Sequence, residues 1–424
     1  MSSITAAAPH ATITTRTLTS GLTLITEPMA GVRSASITLL VPCGIMHERE
    51  DRLGTCAMIE ELLQRGAGDL DSRAQADAFD RCGFSRGSDA GSAVTRFSAT
   101  GLGDRLDDAL SLLFDMALRP RFSEDAIEPA RELALQSLES LKDDPQERAM
   151  IATRERHLPS PLNRSGLGTK EGLTAITRDE LIEAWSRLAR PKPSVIALAG
   201  AIGDVDKLAA RVESLTHHWR GATLEPAIAS APPRGYAHAE DASAQVQIVL
   251  AHDAPKESHP DCLLEKLVIS VLSGGMAGRL FTEVREKRGL CYSVHAGYRA
   301  DRDYGITSAY VGTTPERAQQ SLDVLVEQLR KLETPEGAIT SAEFARAKIG
   351  MKSSLVFSGE STAARAASIA SDWRRIGRPR SLEELIRAID EASLDSVNAY
   401  LTRRRMGTVT IQTLGPKPLI SPLG

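Results

Sequence analysis

Few residues of this 424-residue chain are spaced to do chemistry. The clearest acidic arrangement is Glu60-Glu61, inside the run Gly54-Thr55-Cys56-Ala57-Met58-Ile59-Glu60-Glu61-Leu62-Leu63-Gln64-Arg65-Gly66. Cys56, Ile59, Leu62 and Leu63 recur at helical spacing and predict one apolar face. Ala57, Glu60 and Glu61 then share a neighbouring face, because positions three and four apart stack. Glu60, Glu61 and Glu132 are the carboxylates considered as a substitute cation site, but acidic pairs on a helix are usually solvated and no histidine lies nearby in sequence. The nine histidines are dispersed, and the adjacent pair His217-His218 cannot chelate as an i, i+4 pair does. No nucleophile with an adjacent base is visible, which speaks against a metal-free hydrolase built on Glu60.

A second constellation is Leu272-Ser-Gly-Gly-Met-Ala-Gly-Arg-Leu-Phe-Thr-Glu-Val-Arg-Glu-Lys-Arg-Gly-Leu-Cys-Tyr-Ser-Val294. A helix ends at Ser273-Gly274-Gly275, a flexible turn opens a second helix, and Gly289 breaks it into a strand near Cys291. The glycine spacing matches neither Gly-x-x-x-x-Gly-Lys-Ser/Thr nor Gly-x-Gly-x-x-Gly, so a phosphate cradle is not expected.

These two stretches resemble the insulinase and pitrilysin family of zinc peptidases. The family's inverted motif is His-x-x-Glu-His within a Gly-x-x-His-x-x-Glu-His-Leu-x-x-x-Gly frame. Here the frame survives, with Ala57 and Glu61 where the histidines stand and Glu60 kept at the general-base position. The family's third ligand is a glutamate on a later helix; Asp143-Asp144-Pro145 aligns that position with Ser137. Zinc needs three His, Cys or carboxylate ligands and an open place for water. Ala57 cannot ligate and Ser137 is a poor ligand, so no metal or other cofactor is expected in this chain. The resemblance makes Arg285 and Tyr292, seven residues apart, a substrate-binding pair: a guanidinium fork and a phenol both donate to a peptide carbonyl or to the oxyanion formed on hydrolysis. In the branch that includes the mitochondrial processing peptidases, the zinc motif and this pair are divided between two homologous chains. Ligands absent with the pair present is the pattern of the zinc-free subunit. The implied partner is a homologous zinc-bearing subunit, and the implied ligand a peptide. The alternative is a structural or peptide-binding homologue without proteolytic role, possibly a homodimer, similar to the core subunits of the respiratory cytochrome bc1 complex.

Composition sets the frame for these sites. A net charge of -4 gives no reason to expect nucleic acid or an anionic membrane as partner. The basic clusters Arg374-Arg375 with Arg378 and Arg403-Arg404-Arg405 are expected at solvated helix ends. Five scattered cysteines without Cys-x-x-Cys spacing argue for reduced thiols, mostly small core residues. No run is long and apolar enough for a membrane span, and the opening Met1 to His10 has no basic start or apolar core of a leader. The expected location is the cytoplasm.

The elements that must position the sites come twice. Strands are expected over 14–28 and 34–44, then the opening helix, a helix over 76–82, a strand over 93–100, helices over 106–118 and 123–141, a helix over 178–188, a strand closing at Gly200 and a helix over 205–215. After a Pro-, Ala- and Ser-rich stretch at 225–240, read as a linker, strand 244–251, helix 262–272, strands 291–298 and 306–311, helices 315–332 and 341–356 and strand 407–413 repeat that order. The expected fold is α+β: two homologous domains, 1–224 and 241–424, each a mostly antiparallel sheet with helices packed on one face. The family resemblance makes them one half of a clam-like chamber.

Overall fold

A computed structural model describes residues 12–230 and 232–422. The opening Met1 to His10, read above for a leader, lies outside the described residues, as does Ala231 within the linker stretch. The chain divides into two compact units. The first joins the chain up to Glu139 to Arg164–Ala227 and Ser358–Ser381; the second joins Ser140–Asn163 to Ile228–Phe357 and Leu382–Gly424.

In the first unit the strands are β1 Thr14–Thr17, β2 Thr23–Pro28, β3 Ser34–Val41, a two-residue pair β4 Gly66–Ala67 and β5 Leu70–Asp71, then β6 Ser85–Ala90, β7 Thr95–Leu102 and β8 Val195–Gly200. Six of them form one sheet in the order β1-β2-β8-β3-β7-β6. Every neighbour pairs antiparallel except β2 with β8. In the second unit β9 Gly235–Glu240, β10 Val246–Asp253, β11 Cys291–Ala300, β12 Gly305–Thr313 and β13 Thr410–Gly415 are ordered β11-β12-β10-β13-β9. Again one pair alone is parallel, β13 with β9. The two orders superpose strand for strand from β2 and β9 onward to the edges β6 and β11. Residues 235–240, read as the end of the linker, are strand β9.

Alternation along the strands decides the packing. Leu24, Ile37, Leu39, Phe97, Ile196 and Leu198 face one main core together with Ile59, Leu62, Phe114 and Trp185 from the helices. Their neighbours Ile25, Leu40, Val195 and Ala197 point the other way and meet Ile369 and Ala370. Those two belong to the helix Thr362–Ile376, which comes late in the chain yet completes the first unit. The arrangement is reciprocal: the early helix Pro145–His157 completes the second unit, where Ala149 meets Val249, Tyr310 and Leu414 on the face opposite the core built on Ile248, Leu250 and Val311. Each sheet is therefore covered on both faces. Polar anchors fix these helices. Arg365 pairs with Glu27 at 2.9 Å, both buried, and His157 Nδ1 lies 3.0 Å from the Thr410 hydroxyl. All five cysteines are buried and unpaired by disulfides. Among the described residues no helix is long and apolar enough to cross a membrane.

Candidate functional site

The helix Thr55–Leu63 begins at Gly54, whose φ of 107° only glycine adopts at low cost. Its buried N-terminal donors are met by Glu48: the carboxylate accepts the Gly54 amide at 3.1 Å and the Cys56 amide at 2.7 Å. An anion at a helix N-terminus is the favoured arrangement. Cys56, Ile59, Leu62 and Leu63 are buried as their spacing requires, with Met58 beside them. The face that would hold a metal is spent otherwise. Ala57 offers a methyl group. Glu61 pairs with Arg65 one turn on, at 2.7 Å. Ser137, on the helix Glu124–Ser140, donates its hydroxyl to the Leu133 carbonyl at 2.9 Å. Glu60 Oε2 accepts the Ala90 amide of edge strand β6 at 2.8 Å, and the Ser88 hydroxyl donates to the Glu60 carbonyl at 3.3 Å. Burial pushes the Glu60 carboxyl up, the Ala90 amide pulls it down, and the charges of Asp89 and Glu61 add to the rise, so the net is upward. Donor chemistry and engagement alike show that these positions do not fit zinc. Among the described residues no three His, Cys, Asp or Glu side chains are grouped to hold a metal ion.

Arg285 and Tyr292 lie in the second unit, on either side of one helix-to-strand junction. Phe281–Glu286 is a stretch of π-helix, a local form frequent at functional sites. It closes through Gly289 at φ 60°, with the Leu290 amide bonded to the Val284 carbonyl at 3.0 Å. Buried Val284 and Leu290 pin the junction from below. Arg285 is exposed and stands over the Phe281 ring, its Cζ 5.1 Å from the centroid. Tyr292 is 67% exposed on β11, a sheet edge, where the pairing with β12 slips between Cys291 and Ser293. Such a bulge re-aims a side chain. Among the described residues neither the guanidinium nor the phenol makes a hydrogen bond or ion pair.

One anchor of this segment escaped the sequence reading. Arg279 grips Glu343 through Nε at 2.6 Å and Nη2 at 2.8 Å, and donates to the carbonyls of Gly337 and Ala338. Burial opposes the Glu343 charge, but Arg279 and the Thr340 donors outweigh it and hold the carboxyl at about 2. The readable signal was the capping box Thr340-x-x-Glu343, which starts the helix Ser341–Gly359.

A duplicated α+β chain, with a zinc-peptidase helix frame in one unit and an exposed Arg and Tyr in the other, defines a metallopeptidase-like class. Two models of one family match it: Insulinase (Peptidase family M16) over residues 23–166, and the Peptidase M16 inactive domain over 175–351. The chain belongs to the insulinase family, peptidase family M16, as a member without the family's zinc ligands. It is 29% identical to an uncharacterized zinc protease of Mycobacterium leprae, covering 97% of this chain and 93% of that protein. It is 26% identical to another from Bacillus subtilis, covering 90% and 93%. Its fold matches a peptidase M16 inactive domain from Pseudomonas fluorescens with TM-score 0.84 at 22% identity, over 97% of this chain and 99% of that one. A protease from Helicobacter pylori matches with TM-score 0.81 at 18% identity, over 96% and 100%.

Proposed function

We propose that this chain is the zinc-free subunit of a heterodimeric zinc peptidase, lending Arg285 and Tyr292 to the site of a zinc-bearing homologue. The observation that carries this reading is the unspent pair. A guanidinium and a phenol stand exposed at one junction, with their donors free for a ligand, in a chain whose own metal positions are Ala57, Glu61 and Ser137. Arg285 presents five N–H donors in a planar fork and Tyr292 one O–H. Both suit the carbonyl oxygens of an extended peptide and the negative charge that develops as a carbonyl is attacked. The partner supplies the metal chemistry; this chain binds and orients.

The test is co-expression with a homologue that carries His-x-x-Glu-His, followed by peptidase assays of variants. Arg285→Ala removes a charged hydrogen bond and lowers kcat/KM about 10- to 100-fold. Tyr292→Phe removes a neutral one and costs about 2- to 10-fold. If both variants leave turnover unchanged, the reading fails. It also fails if the purified chain alone binds about one zinc and cleaves peptides with chelator sensitivity.

A further inference from the structure

An exposed arginine that must keep its donors for a ligand faces a difficulty. Left alone it samples many rotamers, and ordering it on binding costs affinity. Held by a nearby carboxylate it is fixed, but its N–H groups are consumed. The Glu283 carboxylate, two residues earlier, is taken by other cations: Lys287 Nζ at 2.7 Å and Arg288 Nη1 at 2.6 Å. Those two partners hold the Glu283 carboxyl below its usual range. Arg285 instead lies over the face of Phe281, four residues back on the same side of the helix, at 5.1 Å from the ring centroid. Among the described residues this contact leaves the guanidinium N–H groups without a hydrogen-bond acceptor, so they stay available to a ligand. Phe281 is itself half-buried and sits at the start of the π-helical stretch, with Leu280 and Val284 packed in the core beside it.

From this geometry we propose that Phe281 is a positioning residue: its ring fixes the Arg285 guanidinium in place while leaving the donors for the peptide. This rests on the functional reading above. A cation–π contact at an exposed site corresponds to an effect of about two- to fivefold.

The experiment uses the full chain co-expressed with its zinc-bearing homologue, and fluorescein-labelled oxidised insulin B chain as the peptide. Phe281→Leu keeps apolar bulk and removes the ring; it lowers kcat/KM about two- to fivefold, with a melting temperature close to the parent's. Phe281→Tyr keeps the ring and retains the parent value. Introduced into Arg285→Ala, Phe281→Leu produces no further loss, because the ring acts only through the cation. A Phe281→Leu effect that persists undiminished in the Arg285→Ala background, or no effect in the parent while Arg285→Ala is impaired, overturns the role of Phe281 alone. If Arg285→Ala alone is silent, this inference falls; if Tyr292→Phe is silent as well, the functional reading falls with it.

Discussion

Replacing Glu265 by Gln unbalances the most enclosed charge pair of the second unit. The Glu265 and Arg404 side chains are 0% and 3% exposed. The carboxylate takes Arg404 Nε at 2.8 Å on one oxygen and Nη2 at 2.9 Å on the other. The Tyr400 and Thr307 hydroxyls complete it at 2.7 and 2.8 Å. Burial pushes the Glu265 carboxyl up, but the Arg404 hydrogen bonds and charge outweigh burial and carry it below the usual range. Glutamine is close to isosteric, so packing is kept, but the charge is lost and one of the two acceptor oxygens becomes an NH2 that can accept neither a hydroxyl nor an Arg404 N–H. Arg404 cannot shed its own charge, and a buried cation without its counter-ion costs about 3–5 kcal/mol. At about 2–4 °C per kcal/mol for a domain of this size, the second unit's melting transition falls by roughly 10 °C. Differential scanning calorimetry of parent and variant measures it. Pairing Glu265→Leu with Arg404→Met removes both charges and is expected to recover much of the loss. A Glu265→Gln drop under about 2 °C, or a double variant whose loss equals the sum of the singles, refutes the reasoning.

Acid destabilisation should begin below neutrality, and through histidines. Burial lowers His47 to about 4, and burial with the Arg404 charge lowers His252 to about 4. His252 accepts from Arg404 on Nε2 at 2.9 Å and donates Nδ1–H to the Asp253 carbonyl at 2.7 Å, which fixes the neutral form. With folded values below the unfolded 6.5, the unfolded chain takes up protons first. Stability present above pH 6.5 is lost as pH falls toward 4, by about 2 kcal/mol per histidine at pH 5. Urea midpoints that do not move between pH 7 and pH 5 contradict this. Glu60→Ala frees the Ala90 amide to water and costs about 0.5–1.5 kcal/mol, without changing turnover of the heterodimer. A loss of turnover at unchanged stability returns Glu60 to the chemistry.

What the sequence made legible is local, and what it hid is long-range. Strands β3, β8 and β10 announce themselves as apolar runs because they are central and buried on both sides, and the paired helices Leu106–Leu118 with Glu124–Ser140 repeat as Ala318–Lys331 with Ser341–Gly359. Edge strand β6 was missed, since Ser-Arg-Gly-Ser-Asp-Ala carries no apolar alternation; with one side unpaired, polar residues there discourage foreign strands. Asp143-Asp144-Pro145 reads as a helix end, and it is one. It also opens the next helix, with Pro145 at the first position and the Asp144 carboxylate accepting the Glu147 amide at 2.9 Å. Proline serves both roles, and local pattern cannot tell which applies.

The triplet Arg403-Arg404-Arg405 shows the same limit at a single residue. Expected as a solvated helix end, it splits: Arg403 pairs with Asp261 at the surface, Arg405 is exposed, and Arg404 turns into the core. Glu265 makes that burial possible, and it lies 139 residues away in the chain. The site follows this logic in reverse. Ala57, Glu61 and Ser137 could be set against the expected ligand positions from the sequence because side-chain type is a property of the residue itself. That Arg285 stands unpaired is a property of its surroundings, of Glu283 being held by Lys287 and Arg288 and of Phe281 lying beneath. Side-chain type is thus legible residue by residue, whereas the availability of a side chain needs the neighbours, and at Arg285 the neighbours among the described residues leave the guanidinium donors without a partner.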